Sequence, residues 1–560
     1  MSQVSGSKFQ VSSFRFQILG FILFLLLFPG LTSAQQKEQT GFDVSRNLEI
    51  FADIYRQLDM FYVDSLSADT AVRWAIQGML AEIDPFTTFY PDDAQDELRR
   101  MATGRYAGIG ALIRPYKKED RAVVEEPYEG CPAQEVGVRA GDIILTIDGR
   151  DIKGWNTTRV SENLRGEPGT TFELRVQRPG EKKPLAFKIT RRQIQLPSLH
   201  WYGIVDSTSH TGYLYLSEFT ENCAREVRHA IMEMRGQGMQ RLIFDLRDNV
   251  GGSVSEAVEI LGFFLPKGTR VVSTKGKVPA TCHDYSTPAE PIDTVMPLAV
   301  LVNANSASAA EIVSGALQDL DRALILGQRT YGKGLVQAIR EVPYRGQLKI
   351  TTARYYIPSG RCIQAYDYRH RTADGAATTL PDSLTREFRT RMGRIVRDGR
   401  GILPDTLLAV DSVPTMVYDL QNSDAFFDFI TNYVLHHPTI AAPGQFQLTD
   451  EEYTAFTDSI AASGFIYNGR TAAALAQLRQ LARFEGRLET AETEFAALEA
   501  KLRENDLAAD LRRFRRHIQP YLEMEIVSRY YYQRGALQQQ LRKDEAVKRA
   551  INCLKNLWVP

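Results

Sequence analysis

Cysteine is scarce and scattered. Cys131, Cys223, Cys282, Cys362 and Cys553 are odd in number and share no spacing, so neither a disulfide framework nor a zinc site follows from them. The eight histidines never form His-Glu-x-x-His, so the common zinc-protease signature is missing too. Charge of one sign is absent. Lys and Arg total 67 against 68 Asp and Glu, and a net charge of −1 gives no footprint for nucleic acid. Long hydrophobic runs are also missing. The run at 18–28 has eleven residues, too few to span a bilayer comfortably. Lys8 and Arg15 precede it, and Pro29, Gly30 and Thr32-Ser33-Ala34 follow, which reads as a secretory signal over 1–34. Export is therefore expected, to the periplasm if the source is Gram-negative, with a membrane anchor as the alternative if the segment is not cleaved. No cysteine near the cleavage site marks a lipoprotein.

What is present supports several domains. The chain has 560 residues, 44% of them hydrophobic, enough for three or four domains with sizeable cores. Residues 303–337 organise the rest. Leu298–Val302 is an apolar run of strand length, small residues follow, and 309–317 suit a helix. Ser308-Ala-Ala-Glu311 fits the Ser-x-x-Glu capping box, which puts Ser308 at a helix N-terminus with free N–H groups pointing outward. The same place suits a nucleophile. An oxyanion forming beside Ser308 would meet the Ala309 N–H and the positive end of the helix dipole. On its own the motif reads as a plain cap.

Lys333 changes that balance. It lies in Tyr331-Gly-Lys-Gly334, twenty-five residues after Ser308, and a helix followed by a short strand returns the chain to where it began. A lysine with its ordinary pKa of about 10.4 is neutral roughly once in 2,500 at pH 7. Half-neutral lysine needs a fall of about 3.4 units, or ~4.6 kcal/mol, within what burial supplies. The flanking glycines let the backbone pack closely around the amine. Gln337, four residues on, is placed to aim its amide at the lysine. A Ser-Lys pair is one variant of nucleophile and base. The alternatives are a solvated loop lysine or a phosphate loop, and the latter lacks the Ser or Thr after Lys.

The stretch resembles the catalytic block of the C-terminal processing peptidases, the tail-specific serine proteases. Ser306-Ala-Ser308-Ala-Ala310-Glu311-Ile, Gly315-Ala-Leu-Gln-Asp319 and Thr330-Tyr-Gly-Lys333-Gly-Leu-Val-Gln337 carry the likeness, with Ala310 where that family commonly has Ser. The resemblance implies Ser308 as nucleophile, Lys333 as general base and Gln337 as the residue orienting it. Asp245-Leu-Arg-Asp-Asn-Val250-Gly251-Gly252 is similar to the family's Asp-Leu-Arg-x-Asn-Pro-Gly-Gly, with Val250 in place of Pro. It implies that the Gly251-Gly252 turn supplies an oxyanion donor beside Ala309, without saying which glycine. Ala353-Arg-Tyr-Tyr-Ile-Pro-Ser-Gly-Arg-Cys-Ile-Gln364 and Gly401-Ile-Leu-Pro-Asp405 extend the match. At 84–90 the family's Asp-Pro-His becomes Asp84-Pro-Phe86, a change with no derivable consequence for mechanism. Glu311 and Asp319 read as supports of the helix and its cap.

The implied fold class is mixed α/β and multidomain. After the signal, 42–103 is an N-terminal helical segment, with Leu48, Phe51, Ile54, Tyr55, Leu58 and Phe61 at helical spacing. Residues 104–193 resemble a PDZ domain, with alternating Phe172, Leu174 and Val176 as one strand. Its Gly108-Ile109-Gly110-Ala111-Leu112 resembles the loop that receives a terminal carboxylate while the peptide adds to a sheet edge. The resemblance implies a ClpP/crotonase-like protease core over 194–410, and 411–560 is expected to be a C-terminal helical region. No metal or organic cofactor is implied. The expected partners are proteins with a free C-terminal tail, a second copy in a homodimer, and an adaptor protein. Two rival readings remain: a non-catalytic PDZ scaffold, and a crotonase-like acyl-CoA enzyme.

Overall fold

The computed structural model describes residues 29–94, 98–100, 103–372, 375–409, 413–467, 470–503 and 507–556. The run at 18–28 and most of the proposed signal lie outside them. The chain divides into 1–85 and 86–560. The first unit carries the helices Pro29–Phe61 and Ala68–Ala81, as the periodicity of the segment predicts.

The second unit holds three bodies. In the PDZ domain five antiparallel strands run in the order Ala111–Tyr116, Arg121–Pro127, Ile143–Ile147, Thr171–Gln177 and Leu185–Thr190. Phe172, Leu174 and Val176 are all buried, because side chains alternate across a strand and this face meets the core containing Ile144, Val160 and Ile189. Ala111–Tyr116 is an edge strand with the Thr157–Leu164 helix beside it, which leaves its outer side available for an added strand.

The α/β core is a six-stranded sheet ordered Leu199–Asp206, Thr211–Leu216, Arg241–Asp245, Leu298–Val302, Leu324–Gly327 and Thr406–Leu407. Its first pair is antiparallel and the rest are parallel. Leu298, Val300 and Val302 pack on one face with the helices Cys223–Gly236, Val254–Leu261 and Ala309–Asp319. Ala299 and Leu301 point to the other face, under the helix Glu545–Asn556. That helix, the last in the described chain, leaves the C-terminal region and completes the sandwich. A second sheet lies alongside. Its long strand Gly346–Tyr356 pairs with Leu335–Val342 on one side and with Thr88–Tyr90 and Arg270–Gly276 on the other.

The third body is helical, as 411–560 predicts. Phe426, Ile430, Phe456, Leu522 and Ile526 form its centre. It grips the PDZ domain: Asp424 accepts from the Lys117 and Lys118 N–H groups at 2.9 and 3.2 Å. Among the described residues no helix is long and apolar enough to cross a membrane.

Candidate active site

Two turns meet at the ends of the parallel strands. The first follows Arg241–Asp245 and carries Gly251-Gly252. The second follows Leu298–Val302 and ends in Ser308. They are laced together: Ser306 Oγ donates to the Leu246 carbonyl at 2.7 Å, and the Ala307 N–H donates to the Asn249 carbonyl at 2.9 Å. A Cβ at Gly251 would fall 2.6 Å from Ser308 Cβ and 3.0 Å from Ala309 N. Only glycine permits this approach, and its φ of +103° adds a second reason.

Ser308 begins the Ala309–Asp319 helix, where the capping motif puts it. The box is formed there on a strained backbone: Ser308 has φ 55° and ψ −115°. The Glu311 half is made, with Oε2 accepting from the Ser308 N–H at 2.9 Å. Such backbone strain costs roughly 1–3 kcal/mol.

Glu311 does more than cap. Its Oε2 also accepts from the Lys333 N–H at 2.9 Å, and its Oε1 accepts from Thr330 Oγ1 at 2.5 Å and the Gly332 N–H at 2.8 Å. One fully buried carboxylate therefore binds the serine turn to the lysine loop. Burial pushes its pKa up to about 7 against the pull of those hydrogen bonds. Tyr355 closes the other side, its hydroxyl reaching the Ser308 carbonyl at 3.2 Å and also the Lys333 carbonyl. Ser308 and Lys333 thus share one acceptor and one donor.

Lys333 Nζ lies 4.2 Å from the centre of the Phe86 ring. Gln337 is on Leu335–Val342, and its Nε2 donates to Thr351 Oγ1 at 3.1 Å. Gly251 N–H donates to Asn249 Oδ1 at 2.9 Å, which commits that donor within the turn. Gly252 instead bridges Phe219 in parallel, and a Cβ there would fall 2.4 Å from the Phe219 carbonyl oxygen.

In the PDZ domain Gly108 closes the strand Arg105–Gly108, Ile109 is buried, and Gly110 has φ +71°. Ala111 and Leu112 open the edge strand, with Leu112 exposed. A cavity of about 890 Å³ runs from Glu126, Tyr128 and Gly130 of this domain to Gly251 and Gly252. Tyr532 of the helical body lines it as well.

The sequence reading assigned Glu311 only to the cap and left Phe86 without a role. Position N3 of the capping motif was a usable signal for Glu311. Nothing local marks Phe86, whose place depends on Thr88–Tyr90 pairing with a strand some 260 residues away, Thr88 opposite Lys349.

A PDZ-bearing peptidase is the class these features define. Residues 210–370 match peptidase family S41, 123–178 match a PDZ domain, and 416–554 match the family described as probable PDZ-protease, C-terminal helical domain. The carboxy-terminal-processing protease of Bartonella bacilliformis is 34% identical over 323 residues, covering 57% of this chain and 73% of that protein. A probable CtpA-like serine protease of Staphylococcus aureus is 32% identical over 322 residues, covering 57% of this chain and 62% of that protein. Among solved structures, the photosystem II D1 C-terminal processing protease is 28% identical, covering 67% of this chain and 97% of that chain, with a TM-score of 0.35. The chain belongs to the carboxy-terminal-processing serine proteases of peptidase family S41.

Proposed function

We propose that this protein is an exported serine endopeptidase that cleaves proteins near a free C-terminal tail, with Ser308 as nucleophile and Lys333 as general base. The observation that carries the reading is the shared clip: Glu311 Oε2 holds the N–H groups of both residues at 2.9 Å. Positioning of this kind is what a nucleophile and its base require.

The tail adds as a strand along Ala111–Tyr116, its carboxylate received by the Gly108–Leu112 backbone. The segment preceding it lies in the cavity that leads to Gly251-Gly252. Neutral Lys333 takes the proton of Ser308 Oγ as that oxygen bonds to the scissile carbonyl carbon. The oxyanion is held by the Ala309 N–H and by the Gly252 N–H, since the Gly251 N–H is engaged by Asn249. Losing one such donor costs about 10²–10³ in rate. The C–N bond breaks, and Lys333 returns the proton to the leaving amine. Water then attacks the acyl ester as Lys333 takes its proton, and Lys333 passes that proton to Ser308 Oγ as the ester C–O bond breaks, freeing the enzyme. Gln337, anchored on Thr351 through Nε2, keeps its carbonyl oxygen for the lysine as it turns toward Ser308.

The reading takes 1–34 as the export signal and the protein as periplasmic in a Gram-negative source. It includes a homodimer, supported by exposed Phe51, Ile54 and Phe61 on Pro29–Phe61, and leaves room for an adaptor protein. The test is cleavage of an unstructured protein ending in small apolar residues, followed by mass spectrometry with free and amidated C-termini. Cleavage of the free-ended substrate alone, lost in both Ser308→Ala and Lys333→Ala, is the expected result. Full activity in Lys333→Ala at pH 7 would remove the base assignment, and equal cleavage of both substrates would remove the role of the PDZ loop. Lys333→Arg is not expected to rescue, because arginine stays protonated.

A further inference from the structure

We infer that Phe86 is a positioning residue: its ring face holds Lys333 as the ammonium ion, and the lysine must leave that ring to act as base. The inference rests on the reading of Lys333 above. Three observations support it. First, the nitrogen sits 4.2 Å from the ring centre, well inside the range where a ring face attracts a cation. Second, the ring is fixed. Thr87 Oγ1 accepts from the Thr351 N–H at 3.3 Å, and Thr88 pairs with Lys349, so the backbone next to Phe86 belongs to a sheet edge. The Tyr368 ring meets Phe86 edge-on at 6.0 Å, Tyr366 stacks on Tyr368 at 6.2 Å, and Tyr331 lies 5.3 Å from Tyr366. Third, the groups of other elements that meet the lysine loop are engaged by its backbone. Glu311 of Ala309–Asp319 is engaged by the lysine's own backbone N–H, and Tyr355 of Gly346–Tyr356 by its carbonyl. Tyr331 in the same loop and Tyr355 are phenols that burial keeps protonated.

The chemical consequence follows from charge. A ring face attracts the ammonium form and not the free amine, so Phe86 opposes the deprotonation that catalysis needs. It acts as a brake that a bound substrate relieves by occupying the space around the lysine. Removing the attraction should shift the lysine titration downward by roughly 0.4–1.5 pH units, the equivalent of one cation–ring contact.

The experiment replaces Phe86 in the full chain with mono-, di- and trifluorophenylalanine, which drain the ring face of negative potential while keeping its shape. Phe86→Leu extends the series. Two readouts are taken: the midpoint of the acid limb of kcat/KM, and the titration midpoint of Lys333 from competitive acetic anhydride labelling of its peptide. Both midpoints are expected to fall stepwise with fluorination, and cleavage near pH 6 to rise. Midpoints unchanged across the series would overturn the inference while leaving Lys333 as base. A labelling midpoint that falls while Lys333→Ala keeps full activity would uphold the contact and sink the base assignment instead.

Discussion

At the scale of single residues, Glu311 concentrates the site's dependence on protonation. Only the carboxylate offers acceptors to all four donors that face it, from Ser308, Thr330, Gly332 and Lys333. Glu311→Gln puts an NH₂ group against two of them, and each unmet buried donor costs about 1–3 kcal/mol. The charge behaves differently from the hydrogen bonds. Burial raises the folded value to about 7 from 4.5, so this group stabilises the fold fully below pH 4.5 and loses that contribution as pH rises to about 7. The stability of the wild type relative to Glu311→Gln should therefore decline across that interval. Cleavage activity should rise over the same interval as the acceptors ionise. Urea midpoints and rates for both proteins at several pH values check this, and parallel stability curves for the two would refute it. This coupling was only half visible in the chain. Ser308-x-x-Glu311 announced a cap. The loop carrying Lys333, which also donates to Glu311, returns to it only through tertiary structure.

Among elements, local pattern served well. Strand Thr211–Leu216, strand Gly346–Tyr356 and the helix at Ala309–Asp319 fall where the apolar runs, the alternation and the capping motif put them, although the first is buried on both faces and the helix on every side. The helix Arg515–Leu541 shows what such a pattern cannot reveal. It breaks at Tyr532, with φ 55° and ψ −169°, a region that normally only glycine occupies. Arg529-Tyr-Tyr-Tyr532 reads from sequence as helical core. Arg529 is half-buried, and desolvation lowers its pKa to about 10. Tyr532 instead accepts from Gln134 Nε2 at 3.0 Å, and Gln533 donates twice to Glu126, each at 3.1 Å. The kink thus turns the helix toward the PDZ domain at the wall of the cavity. Within a regular helix glycine is about 1 kcal/mol worse than alanine. At Tyr532 the order should reverse. Tyr532→Ala loses the phenol and keeps the strain, whereas Tyr532→Gly loses the phenol and relieves it. Tm values with Tyr532→Gly above Tyr532→Ala are expected, and the usual order would mean that the kink stores no strain.

For the whole molecule, chain order and spatial order part company at the C-terminal end. The helix Glu545–Asn556 follows the helical body in sequence, yet Val547, Ala550, Cys553 and Leu554 pack on Tyr213, Ile243, Ala299, Leu301 and Leu326 of the protease sheet. An all-apolar strand such as Leu298–Val302 tells the reader that both faces are covered, but not by which segment. The connection also touches the active-site turn. Arg247, which follows Asp245 into the Gly251-Gly252 turn, pairs with Asp245 at 2.5 Å and with Asp544, just before this helix, at 2.7 Å. Leu554 is 2% exposed, so Leu554→Ala opens a cavity behind the sheet at a cost of about 2–5 kcal/mol. The loss should belong to the protease core. Hydrogen exchange should quicken in Arg241–Asp245 and Leu298–Val302, while the PDZ strands, which share no apolar core with this helix, keep their protection. Uniform loss of protection through both bodies would mean that the core and the PDZ domain unfold as one unit. Protection lost only in the helical body would mean that this helix contributes nothing to the sheet it covers.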